Sequence, residues 1–141
     1  MLLNYPRIVI AALGAFVAYF ALGSLFFTRP SMRREFLKYP AVYRTAADMK
    51  GVMPLGMLGM LLAMVALAVI YAMLWRGGSG VVEGARFGAL VGLYALGSFV
   101  LHNHVNLNIG ARLTLLQAVA YFIEWTVVGV VIGLIYRGAA G

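Results

Sequence analysis

LTLLQAVAYFIEWTVVGVVIGLIY, Leu113 to Tyr136, is the stretch on which the fold turns: 24 residues with a single charge, Glu124, at the twelfth position. At about 1.5 Å per residue such a helix exceeds the roughly 30 Å hydrocarbon core of a bilayer. Glu124 then falls ~16 Å from its start, near mid-membrane. An ionisable group there costs on the order of 2.5 to 3.5 kcal/mol on insertion scales, so it faces protein or a polar cavity and is a functional candidate by default.

Three further runs extend the pattern. Ile8 to Phe27 offers 20 uncharged residues and Val52 to Trp75 offers 24. Phe87 to Leu101 has only 15, so a full third span has to begin near Val81 and take in Glu83 and Arg86. These two are three apart, near neighbours on one helix face, so they can pair at the membrane border. Pro54 is expected in the first turn of the second span, where its missing N–H does little harm. The reading is an all-α polytopic membrane protein, one domain over 1–141. Its four transmembrane helices, about 8–27, 52–75, 81–101 and 113–136, form an antiparallel bundle, with a basic loop at 28–51. Arg7, the following apolar run and Ala21-Leu22-Gly23 resemble a signal peptide, but 20 uncharged residues suffice to span, so a retained helix is expected. The short turn Arg76-Gly77-Gly78-Ser79-Gly80 predicts that spans two and three are antiparallel neighbours.

Composition agrees. The 141 residues are 64% apolar and 11% charged, against about 25% charged in soluble proteins. The net charge of +7 is explained by topology rather than nucleic acid. Arg29, Arg33, Arg34, Lys38, Arg44, Lys50 and Arg112 fall on one side and Arg7, Arg76, Arg86 and Arg137 on the other. The richer side is expected in the cytoplasm of an inner membrane, with both termini outside. Phe36, Tyr39 and Tyr43 among the loop's cations suit a segment lying on anionic headgroups or a solvated loop. Without Cys there is no disulfide, thiolate metal site or cysteine nucleophile. No Gly-rich phosphate loop, Ser-His-Asp arrangement or carboxylate cluster is present.

Small residues at four-residue spacing let helices approach closely in lipid. Gly84, Gly88 and Gly92 on span three, and Gly129 and Gly133 on span four, make such stripes. They are expected to pack inside one bundle, or between copies. Gly129 and Gly133 lie about 140° and 180° around the helix from Glu124, so span four is expected to be buried on two opposite faces.

Gln117, seven residues before Glu124, and Tyr121, three before it, form a polar stripe with it. The structural expectation is a neutral carboxyl hydrogen-bonded to a neighbouring span; the functional one is a proton or cation site. His102-Asn103-His104-Val105-Asn106-Leu107-Asn108 is the densest polar stretch near the membrane. It is expected to be a loop in which Asn106 or Asn108 caps span four. His102 and His104 could hold one metal or haem only if that segment is extended or turning, and could otherwise end a proton relay. Met49, Met53, Met57, Met60 and Met64 repeat at helical spacing, as adaptable core packing or a Cu(I) ladder. No cofactor is expected, with haem or copper on these residues as the alternative.

Gly23-Ser24-Leu25-Phe26-Phe27 running into a basic loop, the Gly84 to Gly92 stripe, and Phe122-Ile123-Glu124 through Gly129 and Gly133 follow in order. In this the chain resembles a group of small four-span bacterial inner-membrane proteins filed as a domain of unknown function. That resemblance implies a four-helix membrane fold and brings no ligand or catalytic residues. The leading expectation is a non-catalytic subunit or scaffold packing through Gly-rich faces. Its partners would be the bilayer and either further copies or a membrane complex. The alternative is a small oligomeric proton- or cation-coupled transporter or channel using Glu124.

Overall fold

The computed structural model describes residues 3–136. Arg137, counted above with Arg7, and the final residue Gly141 lie outside them. Helix α1 (Tyr5–Phe27) is followed by a short α2 (Pro30–Phe36), then α3 (Ala46–Leu74), α4 (Gly80–Ala95), α5 (His102–Asn106) and α6 (Ala111–Ile135). Leu96–Leu101 is π-helical and joins α4 to α5, giving a continuous helix Gly80–Asn106. Four helices are thus long and apolar enough to cross a membrane, and the protein is an all-α membrane bundle.

Helix starts carry local signals. Asn4 accepts from the Arg7 N–H at 3.2 Å, with Pro6 in the first turn of α1. Thr45 caps α3: its Oγ1 accepts from the Asp48 N–H at 3.2 Å and donates to Asp48 Oδ2 at 2.6 Å. This cap starts α3 six residues before the expected 52, so Pro54 sits in the third turn rather than the first. There it removes a donor from the ladder instead of coinciding with a free helix end. Gly77, with φ of 86°, makes the turn after α3 and is the one positive-φ residue among those described.

Helix α6 is the hub. It packs most extensively on α4 and next on α1, while α3 packs on α1 and touches α6 only slightly. The chain-adjacent α3 and α4 are not the packed neighbours that their short connection predicts; they meet at the Tyr71–Phe87 ring pair, centroids 5.4 Å apart. Elsewhere they diverge, because each has a better partner of small residues. On α1 and α3 these are Ala11, Ala12 and Ala15 with Ala68 and Ala72, all buried with Met64 in one cluster. On α4 and α6 they are glycines.

The basic loop is folded rather than laid out as an unstructured tether. Met32 of α2 is buried with Ile109, Leu113 and Ala120, so α2 caps the start of α6. Tyr39 Oη accepts the Gly110 N–H at 2.9 Å. The expected Asn106 or Asn108 cap is therefore replaced by one from another segment; Gly110 is the N-cap residue and no side chain of the 3-4 connection serves it.

Candidate functional site

Glu124 is wholly buried, with no exposed surface. Neither carboxyl oxygen has a hydrogen-bond partner among the described residues. This overturns the expectation of a hydrogen bond to a neighbouring span. The carboxyl instead faces Gly23 of α1, where a Cβ would lie 3.0 Å from Glu124 Oε1. A side chain larger than hydrogen at 23 would press on the carboxyl, so Gly23 makes room for it. An ionised carboxylate without a partner would be far costlier there than a neutral acid.

Its neighbours are aromatic. Tyr19 of α1 and Tyr121 of α6 are the phenols within electrostatic reach of the carboxyl. Tyr19 packs on Trp125 with centroids 5.2 Å apart, and Tyr121 packs on Phe27 at 5.3 Å and on Phe99 at 5.6 Å. Tyr19, Tyr121 and Trp125 also floor a lateral groove of about 430 Å³ between α3 and α4. Ala63 and Ala66 line one wall and Val91 and Ala95 the other. The groove exists because α3 and α4 diverge, and Glu124 is not among the residues that line it.

The opposite face of α6 belongs to α4. A Cβ placed on Gly80, Gly84, Gly88 or Gly92 would run into Gly133, Gly129, the Trp125 and Thr126 backbone, or Phe122, respectively. The two helices step past each other four residues at a time in antiparallel register. Glycine is required here because backbone lies where a side chain would go. The Gly faces are thereby engaged inside the chain.

Gln117 is buried on the same side of α6 as Glu124, and Tyr121 is half-buried between them. The stripe is thus continuous toward the α2 end. His102 and His104 are exposed on helical α5, not on the expected loop. Two residues apart on a helix they point about 200° apart, so they do not converge on one ligand. His104 Nδ1 is 2.8 Å from Thr114 Oγ1, which ties α5 to α6. The described residues contain no group of three or more His, Asp or Glu able to hold a metal. Met64 is core and Met60 partly buried, whereas Met49, Met53 and Met57 are exposed, so the methionine repeat turns from core to lipid along α3.

Sequence reasoning passed over Glu35. Its buried carboxylate takes Lys38 Nζ at 2.7 Å and Arg112 Nε at 3.3 Å, tying the 1-2 loop to the start of α6. The Lys38 pair was readable from its three-residue spacing; the Arg112 pair was not. Glu83, which the spacing allows to pair with Arg86, accepts from the Gly78 N–H at 3.1 Å instead and makes no ion pair among the described residues. The backbone donor of the turn lies close to its carboxylate and needs no long side chain held in place.

No family model, curated protein or solved structure matches this chain.

Proposed function

We propose that this protein is a small proton-coupled transport protein in which Glu124 is the exchanging group. The observation that carries the reading is the carboxyl's full burial without a partner, because a group retained only for structure would be hydrogen-bonded. The subunit or scaffold reading loses ground because the glycine faces it relied on are spent between α4 and α6. Glu124 is fully buried in this conformation, so exchange requires movement of a neighbour, and Tyr19 and Tyr121, which line the α3–α4 groove and lie near the carboxyl, are the residues to move. The setting is a bacterial inner membrane with both termini outside. Lys38 and Arg112 meeting on Glu35 put the basic loop and the 3-4 connection at one end, and Arg7 donating to the Ile135 carbonyl at 3.4 Å puts α1's start beside α6's end.

The experiment is proton flux into potassium-loaded liposomes containing the purified protein, driven by valinomycin and read by a pH dye. Wild type is expected to exceed empty liposomes, and Glu124→Gln to abolish the excess while remaining folded. Equal flux in the two proteins rejects the reading.

Assembly through α3 is a second reading, compatible with the first. A Cβ at Gly56 or Gly59, about 60° apart on the helix, would meet nothing within 4 Å, which leaves a small-residue face of α3 open to a second copy. The molecular mass of the detergent-solubilised particle tests it.

A further inference from the structure

A second cavity, of about 440 Å³, lies away from Glu124, between the end of α1, α2 and the start of α3. Phe27, Phe36, Tyr43 and Met49 make its apolar wall, and Arg33 and Arg44 stand at its rim. Phe27 is the last residue of a membrane-crossing helix and Met49 lies in the first turns of another, so the cavity opens where hydrocarbon gives way to headgroups. Its wall is built, not incidental: Phe36 packs on Phe27 with centroids 6.0 Å apart and edge-on against Tyr43 at 4.7 Å.

The charge at this rim is uncompensated. No acidic residue lines the cavity. The ion pairs among the described residues both use Glu35, with Lys38 and Arg112, and leave Arg33 and Arg44 without an acidic partner. The acid nearest Arg44 in sequence, Asp48, is engaged with the hydroxyl of Thr45. Arg44 also immediately precedes the N-cap of the 29-residue α3, whose positive end adds to the attraction for an anion. Two forked cations over an aromatic slot match an amphiphile with a phosphate at one end and a hydrocarbon chain at the other.

We propose that this cavity binds one anionic phospholipid, its phosphate on Arg33 and Arg44 and the upper part of one acyl chain against Phe27, Phe36 and Met49. The lipid would tie α2 to the membrane edge and brace the loop that caps α6. This site is independent of Glu124, and either proposal can fail without the other.

The test is native mass spectrometry of the full chain after exchange into equal phosphatidylglycerol and phosphatidylcholine. Wild type should retain one phosphatidylglycerol in preference. Arg33→Gln with Arg44→Gln should lower that preference about tenfold or more, the worth of one charge-assisted hydrogen bond. Arg29→Gln with Arg34→Gln, which removes the same charge outside the cavity, should leave it intact. Met49→Trp, which fills the slot and keeps both arginines, should also lower retention. Excess inorganic phosphate should not displace the lipid. Equal retention of the two lipids, equal loss in the two arginine pairs, or no effect of Met49→Trp would overturn the proposal. Displacement by phosphate would reduce it to an anion site and overturn the lipid assignment.

Discussion

Gly84 on α4 and Gly129 on α6 each occupy the space a side chain on the other would need. A Cβ added to Gly84 would strike the Gly129 carbonyl oxygen, and one added to Gly129 would strike that of Gly84. The contact is reciprocal, so neither helix can give way by rotating a side chain.

Gly88 lies one turn along the same seam, against the backbone of Trp125 and Thr126. Gly88→Leu should therefore force α4 off α6 and destabilise the bundle by about 1 to 3 kcal/mol, the usual cost of overpacking. Gly97→Leu is the control, since nothing lies within 4 Å of a Cβ there. Thermal unfolding in detergent should drop for the first and hold for the second. A Gly88→Leu midpoint equal to wild type would mean the seam can open without loss.

Glu35 joins two segments 77 positions apart through Arg112. Because Arg112 and Lys38 are more than half exposed, Glu35→Gln should cost only about 0.5 to 1 kcal/mol of global stability. The local effect should be larger: α2 loosens, and trypsin should cut after Arg33 and Arg34 severalfold faster. Unchanged cleavage would show that Met32 and Tyr39 alone hold the loop.

The sequence made the spans legible because hydrocarbon thickness sets a length that few soluble helices satisfy, and Ile8 to Phe27 or Leu113 to Tyr136 can be read against it directly. It marked Glu124 for the same reason. Partner choice was harder to read. The short Gly77-containing turn predicted α3 against α4, but Ala68 and Ala72 fit Ala11 and Ala15 better, and alanine spacing carries little information in a chain so rich in apolar residues. Beyond Leu101 the π-helical stretch offsets the register by a residue, with the Ser98 hydroxyl donating to the Tyr94 carbonyl at 2.7 Å, and helix continues through both histidines. Nothing in local composition signals that continuation. Long-range ties such as Glu35 to Arg112 and Tyr39 to Gly110 depend on where loops fold back, which spacing does not encode.

Sidedness has its own readout. Reporter fusions after Lys38 and at Gly141 should report opposite compartments, the first cytoplasmic, because the basic loop carries six of the eleven Lys and Arg. Cytoplasmic activity of the Gly141 fusion would invert the bundle.

The missing partner at Glu124 makes an unusual stability prediction. Removing a hydrogen-bonded carboxyl would cost on the order of 1 to 2 kcal/mol. Removing one with no partner relieves a buried polar group, so Glu124→Leu should be neutral or stabilising by roughly 1 to 3 kcal/mol. Glu124→Gln should gain less, since the amide stays buried and unsatisfied. Thermal midpoints of the three proteins in one detergent decide this, and a marked loss with Leu would mean the carboxyl has a structural partner after all.

The central claim is that Glu124 is an exchanging acid, and dicyclohexylcarbodiimide tests it most directly, since this apolar reagent modifies protonated carboxyls in hydrocarbon-like surroundings. Protein in liposomes would be treated for increasing times, the modified fraction of Glu124 read by peptide mass spectrometry, and proton flux measured on the same samples. The account predicts modification at Glu124 and a loss of flux in proportion to the modified fraction. Full modification of Glu124 with flux undiminished, or flux in protein whose Glu124 never reacts, would contradict it.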